Sequence, residues 1–176
     1  LFSLQPHHRW AVVEIGMNHF GEIARLSEIC QPDIGLITNI APSHLEGVGD
    51  IAGVLKAKSE IVKGLKSGGV MVLNADDQHL QGLAARITTP VVTFGLDDAA
   101  TIQAREVRAT PQGFRFTLCA PGQQAEVQLQ TPGRFMVSNA LAAAAVGWQA
   151  GINLTAIAET LSRFEPLEGR LRVIAT

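Results

Sequence analysis

The chain has 176 residues, 47% hydrophobic and 17% charged, with 14 Lys and Arg against 16 Asp and Glu and a formal net charge of -2. That balance belongs to a folded domain with a full-sized core and argues against disorder, while the lack of any basic cluster argues against a nucleic-acid or anionic-membrane surface. Cys30 and Cys119 lie far apart outside any C-x-x-C, which suits a reducing cytoplasm; no apolar run reaches the roughly twenty residues of a membrane span, and residues 1–10 lack the core of an export signal.

Taken in chain order, residues 11–17 form a short apolar run with one acid, rich in β-branched side chains, and predict a buried strand. A helix is expected over 22–30. Pro32 and Asp33 break it, and residues 34–40 repeat the buried-strand pattern before a loop over 41–49. Asp50 is placed to cap a long helix reaching about Lys66, which Ser67-Gly68-Gly69 closes. Residues 70–74 predict a third strand, a short helix starts at Asp77, and residues 91–94 predict a fourth strand. Such alternation predicts an α/β fold, a mostly parallel, doubly wound sheet flanked by helices.

From Thr101 the texture changes. Residues 102–107, 114–118 and 127–129 alternate more strongly between turns, predicting a small antiparallel β element around 101–130. Helices return over 137–150 and 154–164. With no repeat or linker, residues 1–176 are read as one domain, and the apolar ending at 172–176 reads as a segment that continues.

Lys58 is the sharpest anomaly in this pattern. At 100° per residue, Ile51, Val54, Leu55, Ile61, Val62 and Leu65 make one apolar stripe with Lys58 at its centre, whereas Lys56, Glu60 and Lys63 point away. A lysine there must be paired, neutralised, chemically modified, or long enough to snorkel to the rim. Glu14 poses a similar problem inside an apolar strand unless it lies at the strand's carboxyl end, where open α/β sheets bind ligands. His44 lies just beyond the carboxyl end of the next strand, so Glu14, His44 and Lys58 could share one crevice. A carboxylate and an imidazole there suit a divalent cation near phosphate or an acid/base pair. Taken singly, each has a plainer reading, as an ion-pair partner, a loop imidazole or a snorkelling amine. Gly47-Val48-Gly49-Asp50-Ile51-Ala52 fits a loose G-x-G-x-x-A string but follows no strand directly, so it reads as a loop-to-helix turn. No G-x-x-x-x-G-K-[ST] phosphate loop occurs, and His7, His8 and His79 are assigned to the surface.

Three strings together carry a resemblance: residues 14–23 (EIGMNHFGEI), residues 38–47 (TNIAPSHLEG) and residues 56–61 (KAKSEI). Asn74-Ala75-Asp76-Asp77, Gly133-Arg134, residues 139–143 and residues 164–171 agree with them. Nearly the whole chain thereby resembles the central, ATP-binding domain of the Mur ligases, most like the branch that joins D-alanyl-D-alanine to UDP-N-acetylmuramoyl-tripeptide. The resemblance implies a P-loop NTPase-like fold, a cytoplasmic peptidoglycan-precursor ligase, and ATP and Mg2+ as cofactors. ATP would phosphorylate a substrate carboxylate and the incoming amine would attack the acyl phosphate. It implies that Glu14 and His44 hold magnesium, that Lys58 is the lysine many relatives carbamylate to complete a second metal site, that Asn139 contacts adenine, and that Arg170 lies near the phosphates. Three departures accompany it: no phosphate loop, no flanking substrate domains, and Phe135-Met136 where relatives usually carry His-Asn. The expectation is a partial ligase that does not turn over ATP alone. Folylpolyglutamate or cyanophycin synthetases, and a non-catalytic scaffold domain, are the competing readings.

Overall fold

The computed structural model of the chain describes residues 4–166. Helix α1 (Glu22–Cys30) leads into strand β1 (Ile34–Ile37), then a single turn, α2 (Leu45–Val48), and helix α3 (Ile51–Ser59), which tightens into a 3-10 segment over Glu60–Gly64. Strand β2 (Val70–Asn74), helix α4 (Gln78–Ala84) and strand β3 (Val91–Gly95) continue the alternation. Strands β4 (Ile102–Thr110), β5 (Gly113–Ala120) and β6 (Gln123–Leu129) come next, before helices α5 (Phe135–Gln149) and α6 (Leu154–Ser162).

Short polar side chains start three of these helices by accepting the orphan N–H groups of the first turn. Asp50 Oδ1 accepts from Gly53 N at 2.8 Å, Asp77 Oδ1 from His79 N at 2.9 Å and Leu80 N at 3.2 Å, and Asn153 Oδ1 from Ala156 N at 2.8 Å. Gly68, at φ 80°, makes the turn into β2 that an L-residue resists.

All six strands join one sheet in the order of the chain, β1-β2-β3-β4-β5-β6. The first four are parallel, and β5 and β6 are added antiparallel. The antiparallel element expected around 101–130 is therefore continuous with the parallel sheet, through Phe94↔Ile102 and Gly95↔Gln103. Every residue of β2 is buried. Successive side chains of a strand face opposite sides, and β2 shows the result. Val72 joins a cluster with Phe94, Ile102, Phe116 and Leu118, covered by Leu141 of α5 and Leu154 of α6. Met71 and Leu73 join the opposite cluster, with Val54 and Ala57 of α3, Leu80 of α4 and Ile23 of α1. Helices thus cover both faces, α1, α3 and α4 on one and α5 and α6 on the other.

Two expectations are corrected. Residues 11–17 are not a strand: they pair with no strand among the described residues, and Val12 is 97% exposed. An apolar run becomes a strand only where a neighbouring backbone accepts its hydrogen bonds, and among the described residues β1 is paired only with β2. The alternation survives in part, since Ile15 and Met17 turn into the core while Glu14 is exposed. The second correction concerns Glu60, which was placed on the solvent side of a continuous helix. It does point away from the Lys58 stripe, but the start of α1 covers that side, so Glu60 is buried, at 8% exposure, with its carboxylate on the Gly21 and Ala24 N–H groups.

Candidate functional site

The carboxyl ends of β1, β2 and β3 are tied together by one tetrapeptide, Asn74-Ala75-Asp76-Asp77. Asn74 Nδ2 donates to the Thr38 carbonyl at 2.9 Å, and Asn74 Oδ1 accepts from Asp76 N at 2.9 Å. Asp77 Oδ2 accepts from Ile40 N at 2.7 Å while its other oxygen caps α4. The Asp76 carboxylate accepts from Leu96 N and Asp97 N at 2.9 Å, just past β3. Gly95 lies so close beneath that carboxylate that a Cβ would press on it. Ends of parallel strands are where ligands bind in α/β sheets, and here they are held rigid.

Lys58 reaches this end of the sheet. The residues of its predicted stripe all belong to the cluster under β1 and β2, with Val54 fully buried. Lys58 itself is half-buried, and its Nζ donates to the Asn39 carbonyl at 2.9 Å. Burial pushes its pKa below the ordinary lysine value, against the opposing pull of the Asp77 carboxylate.

His44 begins the turn α2 in the left-handed region, at φ 53°, with its side chain exposed. The α2 turn packs on the loop that follows Glu14, since a Cβ on Gly47 would collide with the Asn18 carbonyl oxygen. That loop is held by two carboxylates. Glu22 Oε2 accepts from Asn18 N at 2.6 Å and His19 N at 3.2 Å, bonds that hold its carboxyl below the usual range. Glu60 accepts from Gly21 N through both oxygens, at 2.8 and 2.9 Å, and from Ala24 N at 3.3 Å. The backbone segments bearing Glu14 and His44 are therefore neighbours, but no hydrogen bond or ion pair joins any two of the Glu14, His44 and Lys58 side chains. Asp77 and Glu60 are the residues the sequence reading missed. Gly21, a helix start with no capping side chain, was the available signal for Glu60.

Asn139 lies exposed in the first turns of α5, with Nδ2 3.7 Å from the Met136 sulfur, and Phe135 is 56% exposed beside it. β6 runs parallel to β4, so the chain leaves β6 at the same end of the sheet as it leaves the other parallel strands, and enters α5 from there. Arg170 lies outside the described residues. Among the described residues, no three of His, Cys, Asp and Glu gather into a metal-binding group. Magnesium takes one or two carboxylates and completes its shell with water and substrate phosphate. An exposed, unpaired Glu14 and the exposed imidazole of His44, on neighbouring loops, supply donor types that suit that sparse set. No helix of the described residues is long and apolar enough to cross a membrane.

The Mur ligase middle domain model matches residues 1–147. The chain belongs to the Mur ligase family. Among curated Mur ligases, the UDP-N-acetylmuramoyl-tripeptide–D-alanyl-D-alanine ligase of Haemophilus influenzae is 39% identical over 171 residues, covering 97% of this chain and 37% of that protein. The UDP-N-acetylmuramate–L-alanine ligase of Stenotrophomonas maltophilia strain K279a is 41% identical over 158 residues, covering 89% of the chain and 32% of that ligase. A MurF crystal structure from Acinetobacter baumannii superposes with a TM-score of 0.91 at 32% identity, covering 98% of this chain and 38% of that one. The chain thus spans less than two-fifths of the length of these Mur ligases.

Proposed function

We propose that the chain is the middle domain of a cytoplasmic, ATP-dependent ligase that joins D-alanyl-D-alanine to UDP-N-acetylmuramoyl-tripeptide. The observation that carries the reading is the Lys58 amine, drawn out of an apolar helix face and fixed at the carboxyl ends of the parallel strands. In this reading Glu14 and His44 hold Mg2+, which supplies positive charge to neutralise the phosphates during in-line transfer. Lys58 is carbamylated: its neutral nitrogen adds to carbon dioxide, an N–C bond forms and a proton leaves. The remaining N–H can keep the bond to Asn39 O, and the new anion beside Asp77 is balanced by a cation. Asn139 lies against adenine and Arg170 near the phosphates.

The test uses the complete ligase that carries this segment. With ATP, Mg2+ and both substrates it should release ADP and phosphate in step with the ligated pentapeptide, and Glu14→Ala or His44→Ala, folded by circular dichroism, should lose Mg2+-dependent nucleotide binding. The 41% identity with an L-alanine ligase supports one second reading, addition of L-alanine to UDP-N-acetylmuramate. Product with L-alanine and none with the dipeptide would replace the first reading with the second. Normal nucleotide binding by both variants would remove Glu14 and His44 from the site.

A further inference from the structure

We propose that Asp77 is a positioning residue for Lys58, acting through the backbone of residues 39 and 40. The proposal rests on the reading that Lys58 belongs to the site. One carboxylate here meets three demands. Its Oδ2 takes the Ile40 N–H at 2.7 Å, the shortest of its bonds, and its Oδ1 takes the His79 and Leu80 N–H groups in the first turn of α4. It is also the charged group that acts on the Lys58 ammonium.

Consider what the chain does without it. Residues 38–40 have left β1 and no longer pair with β2, whose register with β1 ends at Ile37↔Leu73. Two side chains from after β2 take over the backbone there: Asn74 donates to the Thr38 carbonyl and Asp77 accepts from Ile40 N. The Asn39 carbonyl between these two points is the acceptor for Lys58 Nζ. A peptide clamped on both sides cannot rotate, so the direction of that carbonyl, and hence the resting place of the amine, is set by Asn74 and Asp77. An ordinary helix cap requires only the bonds to His79 and Leu80. The third bond, across 37 residues to Ile40, is what a cap does not need.

Asp77→Asn separates these roles. Asparagine caps helices as well as aspartate, so α4 should persist, while the amide nitrogen turned to Ile40 N–H is a donor facing a donor and the negative charge is gone. Asp77→Ser, which also caps, serves if the first variant folds poorly.

Both variants are made in the complete ligase. In carbon dioxide-free buffer, acetylation of each lysine by limiting acetic anhydride is followed by peptide mass spectrometry. Lys56 and Lys63, both exposed, are internal references. We expect Lys58 to react several-fold faster relative to them in Asp77→Asn than in the parent. In steady-state kinetics kcat should fall at least tenfold with the KM for ATP changed less than threefold. The double variant with Lys58→Ala should be no slower than Lys58→Ala alone. An unchanged labelling ratio, a kcat within twofold of the parent, or losses that multiply in the double variant would each overturn the proposal. If the parent itself forms no ligated product, the function proposed above falls, and the labelling ratio alone decides the role of Asp77.

Discussion

Lys58 shows how one side chain can carry both a cost and a use. Burial strips water from its ammonium and lowers its pKa, while Asp77 offsets part of that penalty. In the unfolded chain the group returns to about 10.4. Between the lowered folded value and that figure the unfolded chain binds more protons, so stability rises with pH across the window and the full penalty applies below it. Lys58→Met abolishes this titration. Urea denaturation of the chain and the variant over a pH series should therefore show the native chain gaining stability relative to Lys58→Met as pH climbs from neutrality towards about 10.4. A difference that stays flat or shrinks would contradict the burial of the amine. Lys58 was legible in the sequence because helical phase alone sets an amine on an apolar stripe. Asp77 was legible only as a helix start, since its bond to Ile40 depends on how two strand ends lie side by side.

At the scale of elements, the two opposite faces of one short helical stretch serve two neighbours. Lys58 goes to the end of β1, and Glu60, two residues on, goes to the start of α1. Glu60→Gln keeps one acceptor and turns an amide donor towards the N–H groups of Gly21 and Ala24, at a cost of about 1–3 kcal/mol. Hydrogen exchange should report the loss locally, as faster exchange in the first turn of α1 with β2 still protected. Equal acceleration in β2 would show that the contact is not local. At Glu60 the sequence reading had the direction but not the burial, because helical phase does not show that α1 covers that side, and it failed at residues 11–17 because apolarity was taken for pairing. It succeeded for α1, β2, β3 and α5, where breakers or caps bound the pattern and the tertiary contacts agree with it, while of the strand expected over 34–40 only Ile34–Ile37 forms β1.

Over the whole molecule, the two textures of the sequence merge into a single sheet and share a core. The cluster around Phe94 extends from Val72 in the parallel part to Val127 and Leu129 in the antiparallel part, and Leu141 of α5 lies within it, fully buried. Leu141→Ala should cost about 2–5 kcal/mol. Because the cluster spans both parts, far-ultraviolet circular dichroism and Trp148 fluorescence should move together to a lower urea midpoint. Two separated transitions would mean that the antiparallel strands melt independently. The change of texture at Thr101 records a change from strands covered on both faces to strands with one face in solvent.

The strictly sequential order of the sheet bears on how the chain assembles. Each strand finds its partner in the strand made just before it, so the sheet can grow by addition at one side as synthesis proceeds, closing in turn the helical crossovers before β2 and β3 and the tight turns after β4 and β5. Helix α5, which packs on strands from β1 to β4, requires a long return. Until that helix arrives the Val72 and Phe94 side of the growing sheet stays uncovered, making the wait for it the interval in which the nascent chain is most exposed to aggregation.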